Sequence, residues 1–139
     1  MSPLADASRA SALLQELGIT SGQIVQELGY DDDVDMEFRD AVEDLLDEEF
    51  EDEDAQTIVD AVLMWWREGD GDLTDALVDA IATLEPGGPI WVLAPKPGRD
   101  GHVLPADVQE AANTAGLRVM GSHSLAKDWT GTRLASRNG

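Results

Sequence analysis

Leu84-Glu-Pro-Gly-Gly-Pro-Ile-Trp-Val-Leu-Ala-Pro95 is the stretch that decides how this chain folds. Pro86-Gly87-Gly88 halts the helix that arrives from the N-terminal side, because proline cannot continue a helix and glycine reaches positive φ. Gly87 and Gly88 are therefore structural candidates, one of them needing φ > 0 at the helix end. Ile90-Trp91-Val92-Leu93 follows, and Pro95 closes it. A short apolar run bounded by turn residues reads as a strand buried on both faces. Strands of that kind lie in the middle of parallel sheets covered by helices.

Upstream, Ser8 caps a helix reaching about Leu17, and Gly18 ends it. Gln23 to Leu28 is a candidate first strand, followed by an acidic loop from Tyr30 to Asp35. Asp35 caps a second helix to about Asp47, with Phe38, Val42, Leu45 and Leu46 at helical spacing. Glu48 to Asp54 is almost wholly acidic and reads as a solvated linker or frayed helix end. The β-branched and aromatic content of Ala61 to Trp66 favours strand. Leu73 to Leu84 is an amphipathic helix. Downstream, Pro95 to Val103 is a Gly/Pro-rich loop, and Pro105 starts a helix that Gly116 ends. Leu117 to Leu125 and Gly131 to Ser136 are the last strands. Residues 1–7 and 137–139 are expected to be loose.

Helices alternating with strands imply an α/β fold: one domain over 1–139, with a parallel sheet joined by right-handed crossovers. The close final pair of strands implies a hairpin. A chain of 139 residues with 42% hydrophobic content carries one core and is not disordered. It has no cysteine, so disulfides, thiolate metal sites and cysteine nucleophiles are excluded. No stretch approaches membrane length, and Met1 to Asp6 lacks a basic region before an apolar one. The expected location is cytoplasmic, with no membrane partner. The net charge is -20, and residues 27–85 hold 23 acidic residues against only Arg39 and Arg67. That half repels nucleic acid and anionic lipid and attracts a basic protein surface.

Leu17-Gly-Ile-x-x-Gly-Gln-x-Val25, Leu84-Glu-Pro-Gly-Gly-x-Ile-Trp-Val92 and Ala115-Gly-Leu-Arg-Val119 resemble parts of class I, S-adenosylmethionine-dependent methyltransferases. Ser124 to Leu134, with Trp129 and Arg133, resembles their closing antiparallel hairpin. More closely, four stretches resemble a family of small acidic actinobacterial proteins known only as a domain of unknown function. They are Val59 to Trp66, Gly71 to Leu77, Pro95-Lys-x-Gly-Arg99 and Asp128-Trp-x-Gly-Thr-Arg133. The methyltransferase likeness implies a three-layer sandwich with a mostly parallel five-stranded sheet, a shortened Rossmann-like fold. The strand order it implies is first, second, third, last, fourth, with only the last strand antiparallel. The departures bear on function. Where methyltransferases carry a Gly-rich loop, this chain reads Glu27-Leu-Gly-Tyr-Asp-Asp-Asp33. Between the first strand and Ala61 there is room for one helix but not two further strands, so the ribose-binding strand is expected to be missing. No cofactor is expected.

Candidate chemistry is sparse. Glu27, Asp31, Asp32 and Asp33 are oxygen ligands suited to Mg²⁺ or Ca²⁺, but they lack EF-hand spacing and read as a solvated acidic loop. Lys96, Arg99 and His102 lie between the organising strand and a helix N-terminus, where α/β sheets place ligands. They bind an anion or partner there, or they neutralise the acidic half. Ser122, His123 and Asp128 do not make a triad, since adjacent strand residues face opposite ways. Trp91 is a core residue, whereas Trp65 and Trp66 straddle the sheet edge. Two functional readings remain. The favoured one is a non-catalytic acidic interaction or regulatory module. The other is a small-molecule or anion (phosphate or nucleotide) binder, or a degenerate methyltransferase-like enzyme, using the Lys96–His102 loop.

Overall fold

The computed structural model describes residues 16–136. Glu16 and Leu17 are helical; the rest of the helix expected from Ser8, and the ends expected to be loose, lie outside the described residues. The elements run β1 (Val25–Leu28), α1 (Met36–Leu46), β2 (Ala61–Trp65), α2 (Leu73–Ile81), β3 (Ile90–Pro95), α3 (Pro105–Thr114), β4 (Leu117–Ser124) and β5 (Trp129–Ser136). No helix among the described residues is long and apolar enough to cross a membrane.

The five strands form one mixed sheet in the order β1-β2-β3-β5-β4. β1 pairs parallel with β2 and β2 with β3, while β5 runs antiparallel between β3 and β4. Two of the four pairings are therefore antiparallel, and the expected mostly parallel sheet is met only in part. The cause is β5. The short turn after β4 sends it back along its neighbour, and it slots in beside β3.

β3 is central, and all six of its residues are buried. One face of the sheet carries Val62, Met64, Ile90 and Val92 against Leu73 and Leu77 of α2 and Val108 and Ala112 of α3. The other carries Leu63, Trp65, Trp91 and Leu93 against Phe38, Val42 and Leu46 of α1 and against Leu17. The Trp91 indole N–H donates to the Leu17 carbonyl at 2.7 Å. Continuous apolar strands are what two covered faces require.

Each helix starts for a local reason. Asp35 accepts the Phe38 N–H at 2.8 Å, and Asp72 accepts those of Thr74 and Asp75 at 2.9 and 3.3 Å. Both are side-chain N-caps. α3 starts with Pro105, whose missing N–H costs nothing there. α2 stops at Ile81 rather than Leu84, because Val59 takes the next backbone groups. Its N–H donates to Thr83 O and its carbonyl accepts from Glu85 N, both at 2.8 Å.

The acidic stretch after α1 is not a free linker. Glu51 forms a single parallel bridge beside β1, donating to Val25 O and accepting from Glu27 N, both at 2.9 Å. Buried Gln26 holds the next turn by donating to the Asp52 and Ala55 carbonyls at 3.1 and 3.4 Å. Charge alone pointed to solvent, but the backbone of this segment completes the edge of the sheet while its carboxylates stay outside.

In the organising stretch Gly87 sits at φ +85 in open space, whereas a Cβ on Gly88 would lie 2.3 Å from the Asp60 carbonyl oxygen. Gly87→Val is expected to cost about 1–3 kcal/mol through backbone strain. Gly88→Val is expected to cost more, since the Asp60 backbone carbonyl just before β2 must move. Urea melts of the two variants check both the loss and its order; curves matching the parent would contradict it.

Candidate functional site

The carboxyl ends of β1, β2 and β3 are where an open α/β sheet places ligands. β1 ends at Leu28, and the chain turns at Gly29 with φ +75. A Cβ there would lie 2.2 Å from the Trp65 carbonyl oxygen, so only glycine fits this approach. The Gly29 N–H donates to Glu53 Oε2 at 3.1 Å, and its carbonyl accepts from Arg67 Nη1 at 2.8 Å. A cavity of about 460 Å³ opens beside it, bordered by Tyr30, Glu53, Trp66 and Asp79.

Arg67, two residues past β2, gathers this end of the sheet. Its Nε donates to Asp33 Oδ2 at 3.0 Å, and Nη2 completes a bidentate pair with the other Asp33 oxygen. Nη1 lies 3.4 Å from Asp70 Oδ2, and the guanidinium sits 5.3 Å from the centre of a Trp129 ring. Burial opposes the charge on Arg67, but the carboxylates of Asp33 and Asp70 outweigh it and raise its pKa. In return, the hydrogen bonds from Arg67 hold the Asp33 carboxyl below its ordinary range.

The acidic residues considered as cation ligands do not converge. Glu27 is only 7% exposed and points toward α1. It accepts from Arg39 Nη2 at 2.8 Å, from Arg39 Nε, and from the Trp65 indole at 2.9 Å. Arg39 in turn lies over the rings of Tyr30 and Phe50, 4.8 and 5.4 Å from their centres. Its pKa is raised, chiefly by the hydrogen bond to Glu27. Asp31 Oδ1 accepts the Asp32 N–H at 2.8 Å, and Asp33 is held by Arg67.

The Pro95–Val103 loop folds as two successive turns, with Arg99 N–H donating to Lys96 O at 3.0 Å and His102 N–H to Arg99 O at 3.2 Å. Its three cationic or titratable side chains turn to different surroundings. Arg99 Nη2 lies 2.9 Å from Asp128 Oδ1, an ion pair by distance without hydrogen-bond alignment. His102 Nδ1 lies 2.8 Å from the Pro95 carbonyl. Lys96 makes no ion pair among the described residues, and its backbone N–H donates to Asp128 O at 2.9 Å. The acidic partner of this loop is thus the β4–β5 turn and not the Glu48–Asp54 segment. His123 pairs with Glu16 at 2.8 Å, while Ser122 faces Thr132 at 3.2 Å. These two neighbours do point opposite ways. Trp65 is buried and Trp66 half-buried.

Arg39 and Arg67 belong to no motif that marks them as site residues. The available signal was their rarity: two cations among 23 acidic residues, each within an otherwise apolar or acidic stretch.

The family described as "Protein of unknown function (DUF3052)" matches residues 14–138, and the chain belongs to it. An uncharacterized protein of Mycobacterium tuberculosis (strain ATCC 25618 / H37Rv) is 48% identical over 128 residues, covering 92% of this chain and 80% of that one. A Mycobacterium bovis protein, also uncharacterized, matches equally. Among solved structures, a putative methyltransferase from Thermoplasma acidophilum superposes with TM-score 0.58 at 11% identity, over 86% of this chain and 70% of that one. Magnesium protoporphyrin IX methyltransferase from Synechocystis PCC 6803, solved with bound SAM, gives TM-score 0.52 at 10% identity, over 96% and 78%. At such identities the likeness is one of fold.

Two outcomes follow from the charges. Glu27→Gln leaves Arg39 with a weakened buried partner and is expected to cost about 3–5 kcal/mol, whereas Asp31→Asn stays within about 0.5 kcal/mol. Equal urea midpoints for the two would contradict this. Asp33 titrates near its ordinary value of about 3.9 in the unfolded chain, and lower in the folded one. Its contribution is therefore fully present above that pH and fades as pH falls through the folded value. The parent is expected to exceed Asp33→Asn by about 1 kcal/mol or less near neutrality, because Asp33 is half-exposed. Urea melts across pH should show the gap closing in acid; a gap that widens there would contradict the pairing.

Proposed function

We propose that this chain is a non-catalytic interaction or regulatory module on a shortened methyltransferase-like fold. In this reading it lacks a working S-adenosylmethionine loop and docks a protein partner with a basic surface. The observation that carries the reading is the state of Gly29. A cofactor crossing the carboxyl end of β1 uses open backbone and free N–H groups at that turn. Here the Gly29 N–H is engaged by Glu53 and its carbonyl by Arg67. Tyr30 to Asp33 then add side chains and negative charge where a Gly-rich loop leaves the backbone bare.

Charge supports the partner. Arg39 and Arg67, the only cations among residues 27–85, are both turned inward onto carboxylates. The acidic surface therefore keeps its field, which speeds encounter with a basic protein and repels nucleic acid and anionic membranes. Such an association weakens as salt rises.

The competing reading is a small-molecule or anion binder, or a degenerate methyltransferase-like enzyme, using the Lys96–His102 loop. One observation favours its small-molecule and enzyme forms but not its anion form, since acids line the space, and it does so at Gly29 and not at that loop. The cavity of about 460 Å³ beside Gly29 lies at the end of the sheet where Rossmann-like folds hold cofactors. Calorimetric titration with S-adenosylmethionine and S-adenosylhomocysteine separates the two. No heat of binding in the micromolar range is the expected outcome. A saturating isotherm with either compound would overturn the non-catalytic reading.

A further inference from the structure

A second cavity, of about 210 Å³, lies beyond the carboxyl end of β3, between the Pro95–Val103 loop, the start of α3 and the adjoining face of β5 and β4. It stands apart from the cavity beside Gly29, and it depends on neither the partner nor the cofactor question above. Its lining contrasts with the acidic cavity beside Gly29. In a chain of net charge -20, none of the residues lining it is an acid, a lysine or an arginine. Pro97, Pro105 and Val108 supply rigid apolar wall. Proline fixes its own backbone angle, so such a wall loses little freedom when a ligand enters.

The polar groups are few and of defined character. His102 Nδ1 lies 2.8 Å from the Pro95 carbonyl oxygen, which can only accept. Nδ1 therefore carries the hydrogen, and Nε2 of the neutral ring is left as an acceptor. Nε2 has no partner among the described residues. Ser122 and Thr132 also line the cavity, and their Oγ and Oγ1 atoms are 3.2 Å apart. One hydrogen serves the bond between them, so the other hydroxyl hydrogen remains free to donate. The polar side chains lining the cavity are thus one imidazole, this hydroxyl pair and Thr130, and the other lining residues are apolar.

We propose that this cavity binds a small uncharged aromatic ring bearing a hydroxyl, with the ring against the prolines and Val108 and the hydroxyl donating to His102 Nε2. Size fits the class, since an apolar cavity of roughly 150 Å³ holds a benzene ring. Most pockets of this kind combine apolar walls with a few placed polar atoms. A phosphate or nucleotide does not fit, because Arg99 is drawn to Asp128 and no cation lines the space.

The test is amide NMR of the ¹⁵N-labelled chain titrated separately with phenol, anisole and inorganic phosphate. Phenol is expected to shift the amides of His102, Val103, Ser122 and Thr132 saturably, with Kd on the order of 1 mM for so small a molecule. Anisole has no hydroxyl hydrogen and is expected to bind about fivefold more weakly, the effect of one lost hydrogen bond. His102→Phe is expected to abolish that difference. Equal affinity for phenol and anisole in the parent would overturn the role of His102, whether or not the variant folds. Absence of saturable shifts at these amides with phenol, or their appearance with phosphate, would overturn the site.

Discussion

Burying one carboxylate obliges the first half of this chain to organise around it. Glu27 lies in a strand that pairs with β2 and faces α1, where an unpaired charge costs several kcal/mol. Two donors on Arg39 and the Trp65 indole meet that cost together. The consequences spread outward. Arg39 fixes α1 against β1, and its guanidinium settles between Tyr30 and Phe50. Trp65, oriented through its N–H, packs edge-on against Phe38 and Trp129, with ring centres 6.1 and 4.8 Å away. Trp129 then lies beneath Arg67, which ties the loops after β1 and β2. A path of polar and aromatic contacts therefore runs from the edge strand to β5 across one face of the sheet.

The same arrangement explains how so acidic a chain folds. Carboxylates that lie close together repel, and this self-repulsion favours expansion. The chain places most of them outward and gives several a local duty. Asp35 and Asp72 cap helices, Glu43 accepts the Phe50 N–H at 2.9 Å, and Asp60 accepts that of Ile24 at 2.8 Å. Acidic residues at helix starts also match the helix dipole. The opposite case is Asp47, which ends α1 in the left-handed region at φ 58, an unfavourable place for negative charge but a conformation aspartate tolerates.

Much of the fold was legible because its signals are local. Asp35 and Pro105 mark helix starts, the Pro-Gly-Gly turn marks the approach to β3, and apolar runs mark strands buried on both faces. What stayed hidden depended on contacts distant in sequence. Glu51 pairs with Val25 from 26 positions away, and nothing in a run of carboxylates announces a strand partner. Val59 shortens α2 by competing for Thr83 and Glu85. The site was less legible still. Charge and proximity group Lys96, Arg99 and His102, yet two of them are engaged by Asp128 and by the Pro95 carbonyl. Position along a loop does not tell where a side chain points.

The single bridge at Glu51 has a bearing on how the molecule behaves in a crowd. A bare edge strand is a template on which another chain can add, and repeated addition leads to fibres. On the β1 side, the Val25 carbonyl and the Glu27 N–H are already engaged by Glu51. A second copy approaching there also meets exposed Glu48, Glu49, Asp52 and Glu53 at close range. Bonding and repulsion together close that flank to sheet growth. Another strand adding at this edge would first have to break the Glu51 bridge and crowd these carboxylates together.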